Sequence, residues 1–295
     1  MNSFDLAADP LIAASGVVQQ ELPAQALYVV ATPIGNVADM TLRALWVLSR
    51  VDAIAAEDTR VSSALLRRYR ISAPLQIAHK HNERAAAAEI VTRLRAGARI
   101  ALITDAGTPA ISDPGARLVR AVLEEGLRVV PVPGASALAA AVSGAGLRGD
   151  RLSFAGFLPA GARERGRLLG ELAARGEAFA LFEAPHRIEA TARELASVLA
   201  PSRRVVIARE LTKLFETLQV CRAQDLEAAI SGQARGEFVL LIDAAEDESA
   251  VAVDATTRRW LAALAEALPA SRAAALASKV SGAPRELLYA LLTRQ

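Results

Sequence analysis

The chain alternates short apolar runs with helical segments, and this alternation constrains its fold more than any other feature. The apolar runs are rich in β-branched residues and fall at 26–31, 51–56, 99–104 and 127–132. Helical segments separate them at 41–50, 83–97 and 116–126. Strands that alternate with helices pair in parallel through crossover helices, and continuous apolar strands are covered on both faces. We therefore predict an α/β domain with a parallel sheet over residues 26–147.

A second α/β domain is predicted over residues 148–244. Its apolar runs fall at 152–157, 178–184, 204–210 and 237–244, with helices at 163–175, 187–200 and 224–231. Because the spacing is less regular and a hairpin is expected near 210–221, we predict a mixed sheet. Residues 129–147 carry no charge, but two prolines and three glycines favour a strand, a turn and a small-residue helix over a membrane span.

The two ends of the chain differ from the domains in composition. Residues 1–25 are predicted to be a flexible tail. An acidic linker at 245–254 leads to an appendage, 255–295, that has six basic residues against two acidic ones. This appendage is predicted to form helices at 256–267, 272–280 and 284–293, with Ser271 capping the second. Basic helices joined by turns suggest nucleic-acid binding, but the sequence slightly favours a helical appendage that packs on its neighbour or on a partner subunit.

The composition excludes several classes of site. A single cysteine, Cys221, disfavours disulfides and cysteine-rich metal sites, and three histidines leave little for a histidine-rich centre, so no metal is expected. The lone cysteine fits a reducing cytoplasm. A net charge of +2, from 34 basic and 32 acidic residues, means that any nucleic-acid surface must be local.

The loops that follow the strands of the first domain are rich in glycine, proline and adjacent charges. In parallel sheets, ligands bind beyond the carboxyl ends of the strands. These loops are 32–36, 57–60, 105–115 and 133–136. Their glycines allow a ligand to approach the backbone closely, and their prolines reduce the entropy lost on binding. None matches a dinucleotide-binding or P-loop motif, and the chain lacks the HExxH and GxSxG motifs.

Three charged segments allow both a structural and a functional interpretation. Glu57-Asp58-Thr59-Arg60 forms either an ion pair or an acid/base group. The segment 79–83 either caps a helix or contacts a ribose. Residues 183–187, with His186 and Arg187, open a helix that is either capped or binds an anion.

Taken together in order, the motifs resemble those of a known family. They are TPIGN, AEDTR, HxHNE, DAGTPxISDPG, VPGASA, GFLP, ExxHR, ARELTK and GEFVLLI. The chain is similar over about 26–244 to the ribosomal RNA small subunit methyltransferase I family, within the tetrapyrrole-methylase-like (class III) S-adenosylmethionine methyltransferases. Gly107-Thr108-Pro109 stands where tetrapyrrole-modifying relatives have a GDP tripeptide, which favours the rRNA branch.

The resemblance implies two α/β domains that bind S-adenosyl-L-methionine between them, in a cytoplasmic homodimer without a membrane segment. It implies 2′-O-methylation of a cytidine in the decoding region of 16S rRNA, on the small ribosomal subunit. The implied cofactor-binding residues are Pro33, Ile34, Ala106, Gly107, Thr108, Ile111, Pro133, Gly134, Ser136, Ala137, Phe182 and Ala208.

A ribose hydroxyl is a poor nucleophile, so a nearby base should assist such a reaction. The candidates are Glu57, Asp58, His81 and Glu83. RNA phosphates would be bound by cations and polar groups, for which the candidates are Arg60, His186, Arg187, Lys213, Arg258 and Arg259. Two alternatives stay open: a methyltransferase for a tetrapyrrole or another small molecule, and a non-catalytic RNA-binding assembly factor.

Overall fold

A computed structural model describes residues 9–79, 83–245 and 255–293 of the chain. By its contacts the chain divides into two compact units, Met1–Asp243 and Ala244–Gln295. The first unit contains two five-stranded sheets, and the second contains helices.

The first sheet is wholly parallel, as its alternating sequence pattern predicts. Its strands are β1 (Ala26–Val30), β2 (Ala53–Ala56), β3 (Leu75–Ile77), β4 (Arg99–Ile103) and β5 (Arg128–Val132), in the spatial order β3-β2-β4-β1-β5. The helices between them are α2 (Leu42–Arg50), α3 (Thr59–Arg68), α4 (Glu83–Arg95) and α5 (Ala116–Glu124). Helix α3 and strand β3 were not predicted from the sequence.

Helices cover both faces of this sheet. Tyr28 packs in one hydrophobic cluster with Trp46 of α2, and its neighbour Leu27 packs in another with Ile90 of α4 and Leu118 of α5. This alternation follows from the strand geometry, in which successive side chains point to opposite faces. Covering both faces leaves the carboxyl-end loops as the open edge of the sheet.

The second sheet is mixed, as predicted. Its strands are β6 (Leu152–Phe157), β7 (Ala178–Glu183), β8 (Arg204–Arg209), β9 (Thr217–Arg222) and β10 (Phe238–Ile242), in the order β6-β7-β10-β8-β9. Only β6 and β7 pair in parallel among these neighbours, and β8 and β9 form the expected hairpin. Helices α7 (Ala162–Ala174), α8 (Ile188–Val198) and α9 (Leu226–Ile230) pack on one face.

The other face of the second sheet is covered by a helix that follows the first sheet in the chain. This helix, α6 (Ala137–Ala145), is the small-residue helix predicted after the turn at 133–136. Neither it nor any other described helix is long and apolar enough to cross a membrane. Ala141 and Ala145 are buried against Val206 and Leu241. The helix therefore belongs to the first domain by sequence but to the second sheet by packing, and it ties the two sheets together.

The N-terminal segment is not the flexible tail predicted for residues 1–25, as far as it is described. Residues 10–14 form α1 (Pro10–Ala14), which Asp9 caps by accepting from the backbone of Leu11 and Ile12. Ile12 and Val17 are 2% and 1% exposed and pack in the cluster that covers the α2 face of the first sheet. Burial of these two side chains offsets the entropy of ordering a segment with little periodic pattern.

The second unit consists of α10 (Ala255–Ala267), α11 (Ala270–Ser281) and α12 (Arg285–Thr293), close to the three predicted helices. Leu261, Ala274, Ala277 and Leu288 form its small core. Ser271 does not cap α11, because that helix already begins at Ala270. The acidic linker predicted at 245–254 lies outside the described residues except for Ala245.

Candidate functional site

A cavity of about 290 Å³ lies between the carboxyl edge of the first sheet and the second sheet. The loops after β1, β4 and β5 line one side, and β6, β7, β10 and the loop after β8 line the other. Eight of the predicted cofactor-binding residues lie on this lining: Ile34, Ala106, Gly107, Thr108, Ile111, Ser136, Ala137 and Phe182.

The other four predicted cofactor-binding residues lie off the lining. Pro33 is buried behind the first loop, and Pro133 is exposed on the turn after β5. Gly134 packs on the first sheet, where an added Cβ would lie 3.0 Å from the Cβ of Ala31. Ala208 is fully buried in the cluster beneath α6, next to Val239 of the lining. These four positions therefore lie beside or behind the lining rather than on it.

The first side of the cavity is held by hydrogen bonds between its three loops. Thr32 and Gly107 exchange backbone hydrogen bonds at 2.9 and 3.0 Å, which joins the loops after β1 and β4. The hydroxyl of Thr108 donates to the carbonyl of Ala135 at 3.0 Å, which joins the loop after β4 to the turn after β5. Gly107 has φ +81°, a left-handed conformation that favours glycine. The loops are therefore fixed before any ligand binds.

The two sides of the cavity touch at positions without side chains. An added Cβ at Gly156, which has φ +64°, would lie 2.8 Å from the hydroxyl of Ser112 across the cleft. An added Cβ at Gly35 would lie 2.5 Å from the Cγ of Lys213. Glycine at both positions lets the first-sheet loops approach the second sheet and narrow the cavity.

Backbone strain is concentrated in two of the lining loops. Of the six described non-glycine residues with positive φ, four lie in the loops after β4 and β8, at Ala110, Ser112, Glu210 and Thr212. Such conformations cost on the order of 1–3 kcal/mol each and persist where the surroundings enforce them, often at functional sites.

Four carboxyl groups collect at the edge of the first sheet near the cavity. Asp58 caps α3, accepts from the backbone of Arg60 at 2.8 Å and forms an ion pair with its side chain at 2.7 Å. These hydrogen bonds lower the pKa of Asp58 to about 2, so it is a weak base. Burial and the charge of Asp105 raise the pKa of Glu57. Burial and the charges of Glu57 and Asp105 raise the pKa of Asp113 to about 6.

Glu83 does not face the cavity, which argues against its prediction as a base. It is 6% exposed, and its Oε1 accepts from the backbone N–H groups of Gly115, Arg117 and Leu118 at 3.0, 3.0 and 3.4 Å. A carboxylate in this position satisfies the free N–H groups at the start of α5. Its role is to anchor the end of the loop after β4. His81 lies outside the described residues.

Three of the predicted RNA contacts have partners within the chain. Arg60 is ion-paired with Asp58, and Lys213 is 2.8 Å from both Glu210 and Glu237. Arg187 donates to the carbonyls of Leu158 and Pro159 at 2.8 and 3.1 Å, so it fastens the β6 loop to α8.

The remaining predicted RNA contacts, His186, Arg258 and Arg259, are exposed. Two of these three, Arg258 and Arg259, lie on α10 of the helical unit.

Comparison with known proteins assigns the family. A model of the tetrapyrrole (corrin/porphyrin) methylases matches residues 26–227, and a model described as the RsmI C-terminal HTH domain matches residues 251–295. The chain belongs to the tetrapyrrole methylase family. The resemblance seen in the motifs is thus confirmed, and so is the two-sheet α/β class with C-terminal helices.

Curated relatives of this family cover almost the whole chain. Proteins named ribosomal RNA small subunit methyltransferase I are 46% identical in Neisseria meningitidis serogroup B, over 90% of this chain and 92% of that protein, and 45% identical in Pseudomonas aeruginosa, over 91% and 96%. The corresponding protein of Escherichia coli O157:H7 is 43% identical, over 89% and 93%.

Solved structures of the family share the fold at low identity. A cobalt precorrin-4 methyltransferase superposes with a TM-score of 0.55 at 20% identity, covering 74% of this chain and 95% of its own. The uroporphyrin-III-C-methyltransferase of Thermus thermophilus gives 0.52 at 18% identity, covering 74% and 94%. At these identities the likeness concerns the fold alone.

Several lining residues were not predicted individually. Asp113 and Ser112 belong to a Ser-Asp-Pro-Gly segment typical of a turn, and only the fold brings them to the cavity. Glu237, Phe238 and Val239 lie at the start of the apolar run predicted at 237–244, which contains β10.

Proposed function

We propose that this protein transfers a methyl group from S-adenosyl-L-methionine to the 2′-oxygen of a cytidine in the decoding region of 16S rRNA. The cavity between the two sheets is the observation that carries the proposal, because it gathers eight predicted donor-binding residues. The curated relatives named as ribosomal RNA small subunit methyltransferases support an RNA substrate and hence a cytoplasmic site of action.

The lining has the chemistry that this methyl donor needs. Ile34, Ile111, Phe182 and Val239 offer apolar surface for an aromatic base. The loop at Gly107 exposes backbone to the cavity, and the carboxylate of Asp113 faces a place where a cationic ligand would be favoured. The volume of about 290 Å³ is near the lower end for small-molecule sites, about 300–1,000 Å³.

The bound donor would supply an electrophilic methyl group on a positively charged sulfur. The chain's own residues supply position and a dry site, which are the main sources of rate in a displacement of this kind. The hydrogen bonds between Thr32 and Gly107 and between Thr108 and Ala135 keep the lining loops in place. Gly35 on the first side and Gly156 on the second let the two sides approach each other closely around the ligand.

The helical unit would add a grip on RNA that does not depend on sequence. Arg258 and Arg259 are exposed on α10, and residues 255–295 have six basic residues against two acidic ones. Contacts of this kind weaken as salt rises. The acceptor nucleotide must leave its stack for its 2′-oxygen to reach an enclosed methyl group, so an unpaired target is expected.

A homodimer is part of the proposal. Strand β9 is at the edge of the second sheet and exposes Leu218 and Val220, and the adjoining turn exposes Leu214 at 89% and Phe215 at 70%. Exposed apolar edges of this kind are commonly covered by a partner. Light scattering on the purified protein should give twice the chain mass, and a monomer mass at micromolar concentration would contradict this part.

The test combines purified protein, methyl-labelled S-adenosylmethionine and small ribosomal subunits that lack the modification. Labelled 2′-O-methylcytidine after nuclease digestion is the expected product. Label on the base would refute the ribose assignment. Label on a tetrapyrrole but not on RNA would favour the small-molecule alternative, and tight RNA binding without calorimetric affinity for the donor would favour the assembly factor.

A further inference from the structure

We propose that Asp113 is the catalytic residue that accepts the proton of the attacking ribose hydroxyl. The inference rests on the proposed function and adds to it the identity of the base, a role for which Asp58 is already paired with Arg60 and Glu83 already holds the start of α5. Among the described residues, the carboxylates that line the cavity are those of Asp113, Glu183 and Glu237.

Two of these three carboxylates are already held by the protein. Glu183 has a fully buried side chain that accepts from the hydroxyl of Thr191 at 2.6 Å and from the backbone of Ala184 at 2.9 Å, and it lies 3.2 Å from Arg187. Glu237 accepts from the ammonium of Lys213 at 2.8 Å, and its side chain is 77% exposed. Glu183 is therefore structural, and Glu237 is neutralised at the solvent side.

Asp113 differs from both. Within the described parts of the chain no group donates a hydrogen bond to its carboxylate and no cation pairs with it. A half-buried carboxylate without a partner is costly, because charged groups lose hydration without recovering it. Its oxygens remain available to a donor that arrives with the substrate.

The backbone around Asp113 is fixed on both sides. The amide of Ala110 donates to the carbonyl of Pro114 at 3.2 Å, which closes the loop around it. Gly115 donates to the buried carboxylate of Glu83, and an added Cβ at Gly115 would lie 2.8 Å from Leu102. A general base acts in a transition state only if it is held in a fixed position relative to the reacting hydroxyl. This loop holds Asp113 in a fixed position.

The charges around Asp113 favour a proton acceptor that works near neutral pH. Glu57 at the end of β2 and Asp105 after β4 face it, and with burial they raise its pKa to about 6. Asp58, the next carboxylate along the edge, is neutralised by Arg60. A base is most effective when its pKa lies near the working pH. Asp113 meets this condition and Asp58 does not.

The step conserves atoms and charge. The 2′-oxygen forms a bond to the methyl carbon while the carbon–sulfur bond breaks, and the electron pair of that bond stays on sulfur. The hydroxyl proton passes to a carboxylate oxygen of Asp113 and later to water. The positive charge on sulfur and the negative charge on the carboxylate are lost together. After transfer both the thioether and the carboxyl group of Asp113 are therefore neutral.

The first test is Asp113→Asn, which keeps the shape and removes the base. We expect kcat for ribose methylation to fall at least about 100-fold, the low end of general-base effects, with the affinity for S-adenosylmethionine changed only a few-fold. The wild-type rate should rise with pH through about 6, since the base must be ionised. Asp150→Asn, an exposed site, is the matched control. Equal rates in the wild type and Asp113→Asn would refute the inference while leaving the function intact.

The second test needs no turnover. Binding of cationic S-adenosylmethionine near pH 6 should release about a quarter of a proton from Asp113, the amount that goes with an about threefold difference in affinity between its ionised and neutral forms, whereas neutral S-adenosylhomocysteine should release none. Calorimetry in buffers of different ionisation enthalpy measures this difference. We expect it to vanish in Asp113→Asn and to persist in Asp150→Asn. A difference unchanged by Asp113→Asn would overturn the inference, whereas a wild type that binds the donor but never labels RNA would overturn the proposed function instead.

Discussion

Replacing Glu83 distinguishes a structural carboxylate from a catalytic one. Glu83 is 6% exposed and accepts three backbone N–H groups at the start of α5, two of them at 3.0 Å. Alanine would leave those donors buried without an acceptor. Glutamine would keep an oxygen in nearly the same place but without the charge. The pair of variants therefore separates the hydrogen bonds from the charge.

The expected loss follows from the two well-formed hydrogen bonds. Hydrogen bonds to a charged group contribute about 1.5–3 kcal/mol each, and some of this is recovered by water or by relaxation of the helix end. We expect Glu83→Ala to lower the free energy of unfolding by about 3 kcal/mol and Glu83→Gln by about 1 kcal/mol. For a unit of this size each kcal/mol corresponds to about 2–4 °C, so Tm should fall by about 6–12 °C and 2–4 °C.

Scanning calorimetry on the purified variants measures the fall in Tm. Donor-binding calorimetry measures their affinity for S-adenosylmethionine. Glu89→Ala is the matched control, because Glu89 lies exposed on the same helix. Methyl transfer by Glu83→Gln, assayed where the protein is folded, should stay within a few-fold of the wild type. A Tm of Glu83→Ala within about 2 °C of the wild type, together with a loss of turnover in both variants, would refute the structural assignment.

Two further outcomes are expected. Thr108→Tyr should abolish calorimetric binding of S-adenosylmethionine, because Thr108 lines the cavity and a phenol would fill it; unchanged affinity in a folded variant would count against this cavity as the donor site. Replacing both Arg258 and Arg259 by Glu should weaken binding to the small ribosomal subunit by about tenfold or more at low salt and flatten its salt dependence, with donor affinity unchanged. A parallel loss of donor affinity would mean that α10 is structural.

The first sheet was predictable because its strands are buried on both faces. Runs such as 100–103 are apolar and buried throughout, and glycines end the following helices, so the pattern needs no tertiary information. Two elements escaped for the opposite reason. Strand β3 has three residues at the sheet edge, and α3 carries serines and arginines with few apolar positions. The packing of α6 on the second sheet was not predictable either, since the chain order places it in the first domain.

The candidate site was predictable where glycine and proline mark the loops. Gly107 and Thr108 could be placed at the cavity because parallel strands end at one edge. Charged residues were harder, because a carboxylate reads the same in sequence whether it caps a helix or faces a ligand. Glu83 and Asp113 illustrate this. The role of Glu83 depends on the N–H groups at the start of α5, whereas that of Asp113 depends on its position on the cavity lining.

Asp113 should also show its function as a loss of stability. Its pKa in the fold is raised from 3.8 to about 6, so the folded protein binds more protons than the unfolded chain between those values. Stability from this group is therefore present below pH 4, falls as pH rises through about 6, and stays lower above it. The full shift corresponds to about 3 kcal/mol, and solvent screening of a half-buried group reduces this to about 1–2 kcal/mol.

Asp113→Asn should accordingly be more stable than the wild type at pH 8 but not at pH 3.5 in urea unfolding. If the wild type and Asp113→Asn were equally stable at both pH 8 and pH 3.5, the carboxylate would be solvated and its neighbours would not raise its pKa. A variant that gains stability while losing turnover has the signature of a group retained for its chemistry.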